Sequence, residues 1–303
     1  MGDRRAGRLP ELMGGRRSGH VGWPAERPRG AAGRAAPVGY PRAVPELLEV
    51  ETYRLLALAA LDRTVSSVAS PDAWFLKGAA TGPSLRRALV GNRFTAARRI
   101  GKLLLLDVDA GPTLGIRFGM TGTLVVDDRA GVDQMHYAPK RRDPVWDRWK
   151  VRFEDGGSLV VHDPRRLGGV LLDPDVAALG PDAMAITRAQ LAATLRESRA
   201  PLKARLMDQS KVAGIGNLIA DEVLWRAALS PLRPSDSLTP NEVRRLHRHL
   251  GRTLADLTRG GGSHTGHLME ERRPGGRCPR DGSELTRSTV GGRTSWWCPG
   301  HQA

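Results

Sequence analysis

A change of hydrophobic period near residue 174 constrains this chain more than any other feature. From about residue 99 the apolar residues come in short runs: KLLLLDV (102–108), TLGIRF (113–118), GTLVVDD (122–128), KVRFED (150–155), SLVVHD (158–163) and GGVLLD (168–173). Gly and Asp turns separate them, which is the pattern of an antiparallel sandwich or barrel. PDVAALGPDA (174–183) then reads as a linker, and helical patterns follow at 188–197, 201–209, 217–228 and 239–258. One more apolar-rich helix, 46–61, precedes the strands. The expected class is α+β: an N-terminal β-sandwich carrying an N-terminal helix, followed by a helical domain. At 303 residues, two domains with separate cores are expected, and no internal repeat is visible.

Residues 1–44 differ from the rest. They hold nine Gly, five Pro and nine Arg against three acids, with no periodic apolar pattern. Such a segment cannot bury enough surface to offset its ordering entropy, so it reads as a disordered basic tail. The whole chain has 47 Lys+Arg against 32 Asp+Glu, a formal charge of +15, which suits a polyanionic partner such as nucleic acid. The two cysteines, Cys278 and Cys298, are too few for a disulfide framework and point to a reducing compartment. No run is long enough to span a bilayer. A cytoplasmic protein without membrane contact is expected.

Five stretches carry chemistry, and each has a plain structural reading beside the functional one. QSKVAGIGNLIADEVLW (209–225) sets a Gly-x-Gly-Asn turn before a helix, where exposed N–H groups bind anions. A helix rather than a strand precedes it, so it is no dinucleotide fingerprint, and Asn217 on its own reads as a helix cap. HDPRRLGG (162–169) is a charged turn that presents two arginines. RFGMTG (117–122) places Met120 at a strand-to-turn position, and RRIGKLLLL (98–106) sets Lys102 at the mouth of a strand. Near the C-terminus, Cys278-x2-Asp281 and Cys298-x2-His301 flank a Gly291-Gly292 turn, which is the spacing of a zinc-bound β-hairpin. Asp and His stand where a second cysteine is usual. The hairpin could instead be held without metal by Trp296, Trp297 and turn hydrogen bonds.

In order and spacing these motifs resemble the formamidopyrimidine-DNA glycosylase/endonuclease VIII family of base-excision repair enzymes. The resemblance runs from Pro45 to Gln302: Pro45-Glu46-Leu47-x-Glu49-Val50-Glu51, Gly101-Lys102, Gly119-Met120-Thr121-Gly122, Asp163-Pro164-Arg165-Arg166, Gly214-Ile215-Gly216-Asn217 with Asp221-Glu222, and Gly292-Arg293-Thr294. It implies a helix–two-turn–helix domain and a zinc-finger hairpin behind the sandwich. The implied activity is that of a DNA glycosylase and abasic-site lyase. Pro45 would be the nucleophile through a free secondary amine, and Glu46 the acid that protonates the sugar ring oxygen. Lys102, Asn217 and Arg293 would grip phosphates, while Met120, Arg165 and Leu167 fill the space of the flipped nucleotide. Cys278, Asp281, Cys298 and His301 would hold one zinc ion. The implied partner is damaged double-stranded DNA, bound by a monomer, with Glu49 and Glu222 near the lesion.

The expected organisation is a tail (1–44), a catalytic sandwich (45–173), a linker (174–186), a helix–two-turn–helix domain (187–262) and a hairpin (274–302). Pro45 lies inside the chain, where its nitrogen is an amide and no nucleophile. Of the 47 basic residues 41 are Arg, as expected of GC-rich coding DNA, so translation is expected to start at Val44, leaving Pro45 first once that residue is removed. A catalytically inactive protein that binds damaged DNA is the alternative. Leu48 replaces a second proline of the opening motif and is expected to affect only helix geometry. Leu167 stands where the guanine-specific branch carries phenylalanine, and 262–278 is short. Both lean toward the endonuclease VIII side and oxidised pyrimidines.

Overall fold

In a computed structural model, residues 45–109, 111–132 and 142–303 are described. The tail expected over 1–44 lies outside them. The first helix, α1 (Leu47–Ala57), ends in a 3-10 turn, Leu58–Ala60. There follow β1 (Val65–Ala69), α2 (Gly82–Leu89), β2 (Phe94–Ile100), β3 (Leu103–Val108), β4 (Leu114–Arg117), β5 (Thr123–Val126), β6 (Arg129–Ala130), β7 (Asp147–Phe153), β8 (Ser158–His162) and β9 (Gly169–Leu172). The strands form two antiparallel sheets, ordered β1-β7-β8-β5-β6 and β2-β3-β4-β9. Alternate side chains of both sheets enter one core that includes Phe75, Phe94, Leu104, Ile116, Phe118, Trp149, Val151 and Val161. The expected sandwich is present, with β1, β2 and α2 added to it.

Behind it come α3 (Arg188–Arg196), α4 (Leu202–Met207), α5 (Asn217–Ala227) and α6 (Pro240–Gly260). Their apolar faces meet in a second core around Leu191, Leu206, Ile215, Ile219, Leu224, Leu246 and Leu254. A hairpin, β10 (Thr286–Val290) and β11 (Arg293–Trp297), closes the chain over a small cluster of Trp225, Leu268, Leu285 and Trp296.

Helix α1 joins the two halves. Leu47 and Leu48 are buried in the helical core, whereas Val50, Tyr53 and Ala57 enter the sandwich core. Leu48 therefore does more than set helix geometry: it is a core residue, 4 % exposed. The division puts Glu46 and Glu49, both 2 % exposed, at the seam between the cores.

Candidate active site and nucleic-acid interface

The seam is built around the Glu46 carboxylate. Its Oε1 accepts the N–H of Leu218 at 2.8 Å and its Oε2 that of Ile219 at 3.2 Å. Glu46 thus occupies the positive end of α5, where unpaired amides and the helix dipole favour an anion. Asn217 is not the cap: it is the first helical residue, after Gly216. Its Oδ1 is buried without a hydrogen-bond partner. The glycines serve this approach. A Cβ on Gly216 would lie 2.1 Å from the Glu46 Cδ, and one on Gly101 would lie 2.8 Å from the Gly214 nitrogen. So the Gly-x-Gly-Asn turn admits a protein carboxylate, where the sequence suggested an external phosphate.

Glu49 lies one turn along α1. It accepts the Glu46 N–H at 3.0 Å and both the amide and the hydroxyl of Ser263 at 2.7 Å. Burial raises the pKa of both carboxyls. Lys102 opposes that rise at Glu46. Burial lowers the Lys102 ammonium in turn, while Glu46 and Glu49 raise it and Arg293 lowers it. Pro45, Glu46, Lys102 and Arg293 therefore share one neighbourhood, with Pro45 buried and Arg293 exposed at the start of β11.

A second group lies on the sandwich. The Arg165 guanidinium reaches the Met120 sulfur at 3.8 Å, and a Cβ on Gly119 would meet the Leu167 carbonyl carbon at 2.5 Å. The buried Asp163 organises this loop by accepting the Thr121 hydroxyl at 2.5 Å and the Gly168 amide at 2.8 Å. Met120, Arg165 and Leu167 are thus brought together, and Leu167 is 49 % exposed.

The third group is the hairpin base. One ligand atom each from Cys278, Asp281, Cys298 and His301 lies within 4.8 Å of the others. His301 Nε2 sits 3.2 Å from the Trp225 carbonyl oxygen, which leaves Nδ1 facing the cluster. Ser283 holds the Asp281 carboxyl well below the usual carboxylate range through its hydroxyl and amide. The Trp225 indole N–H points at the Cys278 sulfur, 3.4 Å away. Two soft sulfurs, an imidazole nitrogen and an ionised carboxylate form a set that fits a tetrahedral zinc ion.

Sequence reasoning did not show how the hairpin is fastened: Asp221 stood in a motif without a role, and Lys203 was not singled out. Asp221 accepts the Lys203 ammonium at 2.8 Å, the Ser295 hydroxyl at 2.8 Å, the Trp296 amide at 3.2 Å and the Arg272 guanidinium. Lys203, wholly buried, also donates to the Thr294 carbonyl at 3.0 Å, next to Arg293. A lysine on the apolar face shared with Leu202 and Leu206 was the available signal. Glu222 accepts Arg226 at 2.7 Å and the amides of His267 and Leu268. It ties down the segment after α6.

Comparison with known proteins accords with this geometry. The formamidopyrimidine-DNA glycosylase N-terminal domain matches residues 44–170, and the formamidopyrimidine-DNA glycosylase H2TH domain matches residues 178–267. A formamidopyrimidine-DNA glycosylase of Chloroflexus aggregans is 35 % identical over 279 residues, covering 84 % of this chain and 98 % of its own length. That of Thermus thermophilus is 34 % identical over 283 residues, with 84 % and 97 % covered. A Lactococcus lactis relative, solved with DNA containing an oxidized pyrimidine, is 25 % identical with a TM-score of 0.71, covering 85 % of this chain and 99 % of that one. Among the described residues no helix is long and apolar enough to cross a membrane. With both of its domains matched over most of its length, the chain belongs to the formamidopyrimidine-DNA glycosylase family and is a DNA glycosylase acting on damaged DNA.

Proposed function

We propose that this protein is a bifunctional DNA glycosylase and abasic-site lyase that works through Pro45. The observation that carries the reading is the buried Glu46 carboxylate, held next to Pro45 with its pKa raised by burial. A carboxyl that keeps its proton at higher pH than usual is suited to general-acid work. As the amine of Pro45 forms a bond to C1′, the glycosidic bond breaks, the base leaves with the electron pair, and the proton that the nitrogen then gives up passes to the departing base. Glu46 protonates O4′, the ring opens, and the nitrogen lone pair completes a cationic imine. That species acidifies the adjacent C2′ hydrogen, so β- and δ-elimination can follow and cut the strand. Lys102, Asn217 and Arg293 hold the flanking phosphates, Asn217 by donating from its side-chain amide nitrogen and Arg293 from its exposed position at the start of β11. Met120, Arg165 and Leu167 fill the vacated stack. The partner is damaged double-stranded DNA, engaged by one protein molecule.

Active protein begins at Pro45. In the 303-residue chain that nitrogen is an amide, and the family match begins at residue 44. Oxidised pyrimidines are the favoured substrates. Residues 262–272, where a loop covering a purine would arise, are tied to Glu49, Glu222 and Asp221, and an aliphatic Leu167 stands in the wedge loop. Cys278, Asp281, Cys298 and His301 hold one zinc ion. When bound it would fix the two ends of the hairpin and so aim Arg293; it takes no part in the covalent steps.

Borohydride trapping tests the reading. A chain beginning at Pro45 should form a covalent adduct with abasic-site DNA and excise oxidised pyrimidines faster than 8-oxoguanine in matched duplexes, while unprocessed 303-residue protein should form no adduct. Equal trapping by both forms would refute the Pro45 assignment, and faster 8-oxoguanine excision would refute the pyrimidine preference.

A further inference from the structure

Among the described residues, the three most exposed large apolar side chains are Trp74 at 68 %, Val145 at 66 % and Leu167 at 49 %. They come from three separate segments: the 3-10 turn Ala73–Phe75, the 3-10 turn Pro144–Trp146, and the loop that carries Arg165. One ion-paired hub draws these segments together. Asp72 accepts the Arg166 guanidinium at 2.6 and 2.7 Å, and the Arg148 Nη1 lies 3.6 Å away. Asp72 also accepts the Trp74 amide at 3.2 Å. Arg148 in turn donates to the carbonyls of Val145 at 3.3 Å and Asp163 at 2.8 Å. The next residue, Phe75, is fully buried, and its ring edge would lie 3.1 Å from a Cβ on Gly168. The Lys77 ammonium lies 4.6 Å from the centre of the Trp74 ring and donates to the Trp74 carbonyl at 2.6 Å.

Scattered apolar residues on a surface need no explanation, but a cluster of the most exposed ones with a charged rim marks an interaction site. Here the rim is cationic on balance: Lys77, Arg148, Arg165 and Arg166 outnumber Asp72 and Asp143, the latter accepting the Val145 amide at 3.1 Å. A second copy of the chain would bring these cations against themselves. Nucleic acid offers the complement, phosphates for the rim and aromatic faces for the centre. A perfect duplex hides its base faces, and a duplex with a nucleotide expelled exposes them.

We propose that Trp74, Val145 and Leu167 form one platform for the DNA strand opposite the lesion, with the Trp74 indole stacking on a base that has lost its partner. Lys77 holds one face of the ring and the other remains for the base. The inference rests on the glycosylase reading above and extends the contact surface beyond Met120, Arg165 and Leu167. Through the exposed indole the enzyme would prefer an interrupted duplex to an intact one or to a single strand.

Binding by the full 303-residue chain provides the test, because affinity needs no free Pro45 amine. The probes are a duplex with a tetrahydrofuran abasic analogue opposite 2-aminopurine, the same duplex undamaged, and the abasic strand alone. Trp74→Ala should weaken binding to the abasic duplex about tenfold, the effect of losing one base–aromatic stack. Trp74→Phe should recover most of that loss. Neither variant should alter the melting temperature, and the loss on the abasic duplex should exceed any loss on the single strand, whose bases are not held in place. Wild-type protein should quench the 2-aminopurine and Trp74→Ala should not. Unchanged affinity and quenching in Trp74→Ala would overturn the platform. So would a change in sedimentation without a change in DNA affinity, which would mean that the patch joins copies of the chain. If wild-type protein fails to prefer the abasic duplex over the undamaged one, the glycosylase reading itself falls, a failure distinct from the loss of the Trp74 effect alone.

Discussion

Two pairs of buried acids lie close together in this molecule, Glu46 with Glu49 on α1 and Asp221 with Glu222 on α5. Each of the four is 2 % exposed. Their partners differ in kind. The α1 pair is held by backbone amides of Leu218, Ile219 and Ser263 and by the Ser263 hydroxyl, and Lys102 acts on Glu46 through space. The α5 pair is met directly by cations, Lys203 and Arg272 at Asp221 and Arg226 at Glu222. Amide dipoles offset part of the cost of burying the α1 carboxylates, whose pKa is raised, whereas the α5 carboxylates sit in direct contact with full counter-charges. Burial does not by itself tell a proton donor from a structural tie. The partner does.

Removing the proton from the first pair should have the largest effect on function. Glu46→Gln keeps an oxygen that can accept from one helix amide but cannot protonate O4′. Excision by the chain beginning at Pro45 should slow by about 10²- to 10⁴-fold, the usual range for a general acid, while abasic-site DNA is still bound. An unchanged single-turnover rate would mean that another group donates the proton and that Glu46 serves only as a cap.

The second pair should answer in stability. Asp221→Asn leaves Lys203 and Arg272 buried without their counter-charge, which costs about 3–5 kcal/mol when one partner of a buried pair is removed. Urea unfolding reads this directly, and the wholly buried Lys203 is the reason to expect the upper part of that range. A loss below about 1 kcal/mol, the scale of an exposed pair, would show that both cations escape to water and that the contrast between the pairs is weaker than the burial implies.

A smaller effect is expected at the far end of the hairpin that Asp221 anchors. Cys298→Ser should bring zinc content below the about one ion per chain expected of the wild type. It should also weaken binding to abasic-site DNA by about 1–3 kcal/mol, the range of one charge-assisted hydrogen bond, since Arg293 loses its aim. Elemental analysis and titration decide together. Metal-free wild-type protein with full affinity in the variant would leave a hairpin held only by Trp296 and the Asp221 contacts.

Much of the fold was legible because strands β3, β4, β5, β7, β8 and β9 are short apolar runs bounded by turn residues. The missed elements lack that signal. In β2, FTAARRI sets two Ala before two Arg and so shows no apolar run, and α2 is only eight residues, too short for its period to stand out. The site residues were legible one by one and their use was not. Glu46 and Leu218 are 172 residues apart, so no local pattern reveals that a carboxylate fills the α5 N-terminus. Gly214 and Gly216 signalled close approach, and sequence left open what approaches. Lys203 was hidden for a related reason: its counter-charge comes from another helix.

The smallest expected effect is in the pH dependence that the first acid pair gives to stability. Burial raises the folded-state pKa of Glu49 above its ordinary value of 4.5, so between those two values the folded chain binds more protons than the unfolded one. Stability must then fall as pH rises through that window and level off once both states are ionised. Glu46 acts in the same sense. Glu49→Gln removes one of the two contributions while keeping an oxygen to accept from Ser263. The decline in the urea midpoint from pH 4.5 upward should therefore be shallower in Glu49→Gln than in the wild type, with the two curves closest at the acidic end. A decline of equal steepness in both proteins would show that Glu49 is ionised in the fold at no cost, in which case its hydrogen bonds from Ser263 serve as fully as the cations that hold Asp221.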